Sequence, residues 1–252
     1  MSVEEVILDS YLKQLRLTTF INNHAVFAAE AVEKNYSYTR FLTALAEQEV
    51  EQRQANRRER RLKAAKFPVM KSLNDFDFDV IPSLNKQQIL QLAQGDYIDQ
   101  CEPLILLGNP GLGKTHIATA LAAAACRQNH RVRFYHAATL VNELMEAQQL
   151  GTLNKFLETA LRHQLFVVDE LGFIPFTQKG AHLIFQFFST LYERVAVIIT
   201  TNLHFTAWTQ VFGDEQLTVA LLDRLTHRAH ILEFVGDSYR FRERLERQTD
   251  GL

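Results

Sequence analysis

The stretch LILLGNPGLGKTHIATALA, residues 104–122, decides the fold class of this chain. It passes from an apolar, strand-like segment through a glycine-rich turn into an alanine-rich helix. Within it, GNPGLGKT (108–115) satisfies the Walker A spacing G-x-x-x-x-G-K-[ST] in full. A strand before this loop and a helix after it are the context in which such a loop cradles phosphates. The sequence therefore predicts an α/β protein that binds a nucleoside triphosphate, with ATP as the expected ligand.

Each part of this loop has a physical role. Its glycines let backbone N–H groups point inward at phosphate oxygens. Lys114 is predicted to reach the β and γ phosphates, as both a binding and a catalytic residue, and the Thr115 hydroxyl is predicted to hold Mg²⁺. The predicted nucleotide-binding residues of the loop are Gly108, Asn109, Pro110, Gly111, Leu112, Gly113, Lys114, Thr115 and His116.

Two later strands end in polar residues that suit phosphate chemistry. LFVVDE (165–170) brings Asp169 to the carboxyl end of an apolar strand, where its carboxylate is predicted to hold Mg²⁺ through water. Glu170 follows directly and is predicted to be the general base that polarises the attacking water. VAVIITTN (195–202) ends at Asn202, which we predict to sense the γ phosphate or the attacking water.

Arginines near the end of the chain are candidates for completing the site. LLDRLTHRAH (221–230) contains Arg224, which we predict to approach the γ phosphate bound to a neighbouring subunit, a contact that speeds hydrolysis by about 10³–10⁵. The pattern leaves open whether Arg224 or Arg228 is this finger. GDSYRFRERLERQ (236–248) begins a terminal helix in which Arg240 is predicted to contact the nucleotide of its own subunit.

The periodicity of apolar residues divides the chain into three parts. Residues 1–66 contain neither glycine nor proline and are predicted to be a small helical domain, with a break at 35–37. Residues 67–84 are predicted to be a linker lying over the next domain, and residues 85–252 an ATPase domain with a short C-terminal helix. Short apolar strands alternating with amphipathic helices predict a five-stranded parallel sheet between helices. The predicted strands are 103–107, 131–136, 165–169, 195–201 and 229–234.

Charge is distributed unevenly along a chain whose net charge is −2. Between residues 51 and 71, eight basic residues stand against two glutamates, which favours a polyanionic partner such as DNA. A solvated helix face is the alternative for a charge run of this length. No apolar run approaches a membrane span, the N-terminus does not resemble a signal peptide, and the two cysteines show no disulfide pattern, so we expect a cytoplasmic protein. The predicted DNA contacts of the basic segment are Arg53, Arg57, Arg58, Arg60, Arg61, Lys63 and Lys66.

The order of these motifs resembles that of AAA+ ATPases, and several further segments narrow the resemblance. RRLKAAKFPVMKSLNDFDF, VVDELGFIPFTQKGAHLIFQFFSTLYER, IITTNLHFTAWTQVFGD and LLDRLTHRAHILEFVGDSYR are similar to those of the IstB family, over residues 1–245. The resemblance implies an ATP-binding helper of bacterial insertion sequences, related to DnaC helicase loaders and to DnaA. Such a helper is expected to form oligomers on duplex DNA with little sequence preference and to stimulate a partner transposase, in a strongly salt-dependent manner. The resemblance and the basic segment together imply that the helical domain 1–66 serves DNA binding and assembly. Lys155, Arg162 and Lys179 are weaker DNA-contact candidates.

Two other functions share parts of the pattern. A DnaC-like replicative helicase loader has the same core, but its N-terminal helices grip a helicase. A small-molecule P-loop kinase needs a lid and a substrate pocket, and it uses no arginine from a neighbouring subunit. The Asp169–Glu170 pair and the basic helical arm argue against the kinase.

Overall fold

A computed structural model describes residues 3–236 of the chain. The chain divides into two compact units, Met1–Arg60 and Arg61–Leu252. The predicted terminal helix and Arg240 lie outside the described residues. Within residues 3–236, no helix combines the length and the apolar character needed to cross a membrane.

The first unit is helical, as predicted. The observed break between α2 and α3 coincides with the predicted one, and there the Ser37 hydroxyl accepts a hydrogen bond from the Arg40 N–H at 3.3 Å. A second break, between α1 and α2, was not predicted; Arg16 adopts a left-handed conformation there (φ 56°) without a glycine to signal it. The helices that begin in this unit are α1 (Val3–Gln14), α2 (Thr18–Glu33) and α3 (Tyr38–Ala65).

A buried carboxylate ties the helices of the first unit together. Glu49 on α3 accepts a hydrogen bond from the Thr19 N–H at 3.0 Å, which satisfies one of the free N–H groups at the start of α2. Arg53, one turn later, donates to Glu49 at 2.6 Å and to the carbonyl of Arg16 at 2.9 Å. Leu45, one turn before Glu49 on α3, is buried as well. These hydrogen bonds join α3 to the start of α2 and to the break that precedes it.

The second unit contains the predicted five-stranded parallel sheet, in the order β2-β3-β4-β1-β5. Each strand lies within one residue of its predicted bounds at either end. Because the sheet is parallel, the carboxyl ends of all strands meet at one edge. The strands are β1 (Leu104–Gly108), β2 (Val132–His136), β3 (Leu165–Asp169), β4 (Ala196–Thr201) and β5 (His230–Phe234).

Helices cover both faces of this sheet. Thr177 caps α9 through its hydroxyl, which accepts from the Gly180 N–H at 3.2 Å. Trp208 begins α10, where it is buried and stacks on Phe212. The remaining helices are α4 (Lys86–Leu92), α5 (Asp96–Asp99), α6 (Lys114–Arg127), α7 (Ala137–Gln149), α8 (Leu153–Ala160), α9 (Gln178–Leu191), α10 (Trp208–Phe212) and α11 (Glu215–Thr226).

The core of the second unit has one layer on each face of the sheet. Successive residues of β1 point to opposite faces, so Ile105 packs in one layer while Leu104 and Leu106 pack in the other. Both layers consist of buried apolar side chains, which is why the strands are continuously apolar in sequence. The segment 67–84 belongs to this unit: Ile81 and Leu84 are buried in the layer that contains α6.

Candidate nucleotide site

The phosphate-binding loop connects β1 to α6 at the carboxyl edge of the sheet. β1 ends at Gly108 and α6 begins at Lys114, so the free N–H groups of the first helical turn lie beside the loop. The Lys114 ammonium donates to the carbonyls of Gly108 at 2.7 Å and Asn109 at 2.8 Å, which places its charge inside the loop. This arrangement suits a polyphosphate.

Two glycines of the loop are required by their surroundings. Gly108 approaches the backbone carbonyl of Phe234 on β5 so closely that a side chain there would collide with it. Gly113 has a φ of 82°, and a Cβ at this position would lie 2.6 Å from the ring of Phe76. Both positions combine a left-handed backbone with a close neighbour, which only glycine accepts without strain.

A hydrogen-bond network joins the loop to the ends of the central strands. Thr115 donates from its hydroxyl to Asp169 Oδ1 at 2.8 Å, and Thr200 on β4 donates to the same oxygen at 2.6 Å. The Thr200 hydroxyl also accepts from the Glu170 N–H at 2.9 Å. Asp169 is 1% exposed, so its charge is stabilised almost entirely by these protein donors. Its oxygens and the Thr115 hydroxyl are hard ligands of the kind that Mg²⁺ prefers, and they fit that ion.

Glu170 sits at a sharp corner between β3 and the following loop. Its φ is 61°, a left-handed conformation that is uncommon for a residue with a side chain, and its side chain is 56% exposed. The corner turns the Glu170 carboxylate away from the sheet while Asp169 stays buried. Adjacent carboxylates thus have different environments, one enclosed and one open to solvent.

His136, at the carboxyl end of β2, is a neighbour of this pair that the sequence did not reveal. In the parallel register it lies opposite Asp169, and its Nδ1 is 3.4 Å from Asp169 Oδ2 and 3.9 Å from Glu170 Oε2. Nδ1 is buried and has no hydrogen-bond partner within the described residues. Thr200 was also missed: it belongs to the quoted stretch VAVIITTN, but only Asn202 at the end of that stretch was recognised as a candidate. The signal that could have found both residues is the position of β2 and β4 on either side of β3 in the sheet.

A cavity of about 730 Å³ opens above the loop. Its lining includes Gly113, Lys114, Thr115, Glu170 and Asn202, so the structure brings together the predicted residues of three motifs. Of the described residues predicted to bind nucleotide, Gly108, Asn109 and the buried Asp169 are not among those that line the cavity. The size and the mixed polar and apolar lining suit a nucleotide.

One wall of the cavity comes from the segment that the sequence predicted to be a linker. Phe76 packs against Gly113 and meets the ring of His116 edge-on at 5.3 Å. His116 Nε2 lies 2.8 Å from the carbonyl of Ser72, within hydrogen-bond distance. Apolar side chains of the same segment, including Val80, also line the cavity. The segment therefore contributes to the site, a role that its sequence did not indicate.

The arginines predicted to act on the phosphates are not among the described residues that line this cavity. Arg224 and Arg228 border a small cleft with Pro103 and Val195, which precede β1 and β4. These positions lie at the amino edge of the sheet, opposite the phosphate loop. The Arg224 guanidinium lies 5.0 Å from the centre of the Phe185 ring and donates to its own helix at the carbonyl of residue 220, at 3.2 Å.

The predicted DNA contacts fall in both units. In the first unit, Arg57, Arg58 and Arg60 are exposed, whereas Arg53 is engaged with Glu49. In the second unit, the exposed candidates are Lys63, Lys66, Lys155, Arg162 and Lys179, and Arg61 is half-buried.

The fold and the site define the class of protein to which this chain belongs. A parallel sheet of order β2-β3-β4-β1-β5, a complete Walker A loop and an Asp–Glu pair at the end of β3 make it an ATP-binding P-loop protein with an AAA+ core.

Comparison with known proteins then identifies the family. The family described as IstB-like ATP binding protein matches residues 10–247, so the chain belongs to that family. The ATP-binding protein of insertion sequence IS5376 from Geobacillus stearothermophilus is 34% identical over 246 residues, covering 96% of this chain and 98% of that protein. The corresponding protein of insertion sequence IS21 from Pseudomonas aeruginosa is 34% identical over 237 residues, covering 94% and 89%.

Solved structures support the fold. DnaA from Aquifex aeolicus bound to AMPPCP superposes with a TM-score of 0.52 at 20% identity, over 71% of this chain and 55% of that one. DnaI superposes with a TM-score of 0.54 at 18% identity, over 66% of this chain and 91% of that one. The AAA+ architecture predicted from the order of motifs is thereby confirmed.

Proposed function

We propose that this protein is an ATP-dependent, DNA-binding helper of transposition. In this proposal it assembles on target duplex DNA and stimulates the transposase of the same insertion sequence. The observation that carries the proposal is the network of Thr115, Asp169, Thr200 and Glu170 beside a complete phosphate loop, in a family of insertion-sequence ATP-binding proteins. The network positions the candidate Mg²⁺ ligands and the candidate general base for ATP hydrolysis. Membership of the family links that hydrolysis to insertion sequences.

The chain's own residues divide the work of hydrolysis. Loop N–H groups and Lys114 bind and orient the triphosphate, so that the γ phosphate faces Glu170. The open position of the Glu170 carboxylate lets it accept a proton from water, while Thr200 holds its backbone. Asn202 lines the same cavity and is placed to contact the γ phosphate or that water. Thr115 and Asp169 would hold Mg²⁺, which neutralises charge on the β and γ phosphates when bound.

The position of Arg224 supports the proposed assembly. Arg224 lies at the edge of the sheet opposite its own phosphate loop, and in this proposal it acts on the site of a neighbouring copy. A heterologous contact of this kind repeats from subunit to subunit and generates an oligomer. Arg228 borders the same cleft and is the alternative finger. ATP would then link the occupancy of each site to the stability of the next interface, and Arg240 would contact the nucleotide in its own subunit.

Two substitutions test the switch. Lys114→Ala should abolish ATP binding and ATP-dependent assembly on duplex DNA, as measured by fluorescent-nucleotide anisotropy and electron microscopy. Glu170→Gln keeps the size of the side chain and should retain ATP and DNA while hydrolysis falls by at least about 100-fold. Normal hydrolysis by Glu170→Gln would contradict its assignment as the base. Stimulation of the neighbouring transposase supports the transposition role, whereas loading of a replicative helicase without such stimulation would favour the DnaC-like alternative.

A mixing experiment tests the finger in trans. Arg224→Ala and Glu170→Gln should each be inactive alone. In an equal mixture, Arg224→Ala subunits supply intact Glu170 sites and Glu170→Gln subunits supply intact arginines. About a quarter of interfaces combine the two, so about a quarter of the wild-type activity should return. Arg228→Ala replaces Arg224→Ala as the matched control. Recovery with Arg228→Ala but not with Arg224→Ala would reassign the finger.

A further inference from the structure

Three arginines lie close together at the edge of the sheet formed by β2, away from the nucleotide cavity. Arg131 precedes β2, Arg133 is its second residue, and Arg162 precedes β3. The start of β2 and the entry to β3 are joined because the Arg131 carbonyl accepts the N–H of Gln164 at 2.9 Å. We call Arg131, Arg133 and Arg162 the β2-edge cluster.

Arg133 is held in a defined position. Its guanidinium lies 4.7 Å from the centre of the Tyr135 ring, and Nη2 donates to the Tyr135 hydroxyl at 3.3 Å. Tyr135 in turn donates to Glu143 at 2.8 Å. On the other side, Arg133 Nη1 approaches the carbonyl of Ala64 at 3.4 Å, so the cluster continues into the end of α3 near the exposed Lys66. Because the Arg133 guanidinium is already held in place, its side chain loses less conformational entropy when a ligand binds.

Glu143 offsets part of the charge of this cluster, because its carboxylate is bonded to the Tyr135 hydroxyl beside Arg133, but the two other arginines keep their charge. Arg131 and Arg162 are exposed, and within residues 3–236 neither forms an ion pair with a carboxylate. His163 lies among them, and its pKa is lowered, mainly by burial and also by the nearby charges of Arg133 and Arg131. β2 is the first strand of the sheet, so one of its edges is not paired with another strand. Exposed cations at such an edge disfavour pairing with a further strand and attract a polyanion.

We propose that the β2-edge cluster binds the phosphate backbone of duplex DNA. Guanidinium groups match phosphate geometry through paired N–H donors, and the exposed guanidinium groups of Arg131 and Arg162, which have no ion-pair partner among residues 3–236, fit a polyanion better than a neutral protein surface. The proposal rests on the proposed function, and it adds Arg131 and Arg133 to the DNA contact surface. It also gives Arg162 a specific set of neighbours.

The test compares DNA binding by matched double variants of the full chain. Arg131→Ala with Arg162→Ala removes the two exposed charges, and Arg194→Ala with Lys86→Ala is the control that removes the same charge elsewhere in the second unit. Anisotropy with a labelled duplex, at several salt concentrations and with ATP present, gives affinity and salt dependence. Arg133→Gln, which keeps a donor toward Ala64, tests the third arginine. Thermal melting checks that each variant is folded.

The cluster variant should bind DNA at least about tenfold more weakly, and the slope of log affinity against log salt should fall by about 2, with ATP binding unchanged. The control should behave as the wild type. Three results would overturn the proposal. The first is unchanged DNA affinity and salt slope, and the second is loss of transposase binding with intact DNA binding. The third is aggregation with unchanged DNA binding, which would mean that the arginines protect an edge strand from pairing with other chains. If the wild-type protein itself does not bind duplex DNA, the proposed function fails as well.

Discussion

Replacing Thr200 with valine removes one hydroxyl that serves two partners, and the structure allows the consequence to be estimated. The hydroxyl donates to Asp169 at 2.6 Å and accepts from the Glu170 N–H at 2.9 Å, and Thr200 is 1% exposed. Valine preserves the shape but leaves both partners without this bond. Losing a bond to a buried charge, together with an unsatisfied N–H, costs about 2–4 kcal/mol, which corresponds to a melting temperature lower by about 5–10 °C in a domain of this size.

The effect on ATP hydrolysis should exceed the effect on ATP binding. Thr200 orients the backbone of Glu170 and one oxygen of Asp169, and outer residues of this kind typically contribute 10–100-fold to activity, so we expect a fall of about 10–100-fold. Phosphate release at saturating ATP measures hydrolysis, anisotropy of a fluorescent nucleotide measures binding, and both are performed well below the melting temperature.

Thr218→Val is the matched control for this prediction. Thr218 is equally buried, and its hydroxyl bonds to the Asp214 carbonyl on α11, away from the cavity. It should lose some stability and keep normal hydrolysis. If Thr200→Val hydrolyses ATP at the wild-type rate, or if Thr218→Val loses activity to the same extent, the argument that Thr200 positions Glu170 is refuted.

Two further predictions concern the loop and the first unit. Gly113→Ala should weaken ATP binding by at least about tenfold, because alanine is strained at a φ of 82° and its Cβ would press on Phe76. Adding Phe76→Ala should not restore ATP binding fully, since the backbone strain remains. Wild-type affinity of Gly113→Ala for a fluorescent nucleotide, measured by anisotropy, would contradict this prediction. Burial raises the pKa of Glu49, but hydrogen bonds from Arg53 and Thr19 outweigh it and hold the pKa below the ordinary value. Its contribution to stability is therefore complete above the ordinary carboxyl pKa and is lost as pH falls through the lowered one. Glu49→Gln should make the melting temperature less sensitive to pH in that acidic range, and an equal acid sensitivity of both proteins would contradict the assignment.

Most of the second unit was predictable because its sequence signals are local. The strands are dense apolar runs, and Thr177 is a conventional cap before an amphipathic helix, so their positions follow from periodicity. The break at Arg16 was not predictable in this way. There the chain turns through a left-handed arginine instead of a glycine, with its carbonyl bound to Arg53 from another helix. A turn stabilised by a distant side chain leaves little trace in the local sequence.

The same distinction applies to the site. Lys114, Thr115, Asp169 and Glu170 belong to contiguous motifs whose spacing carries the chemistry, and the structure brings them together. His136 is a different case, because it reaches Asp169 only through the parallel register of β2 with β3. The wall formed by Phe76 likewise depends on how a segment without regular periodicity folds back over the loop. The first proximity depends on strand order and the second on the path of a loop, and the sequence pattern left both open.

The left-handed corner at Glu170 sets a limit on how this protein can be improved by engineering. A residue with a side chain costs about 1 kcal/mol in that conformation, and glycine or asparagine would adopt it with less strain. A selection for thermal stability alone would therefore favour replacing the very carboxylate that we assign to catalysis. Stability and turnover compete at this single position, so any search for a more robust variant must keep Glu170 fixed and seek its gains elsewhere.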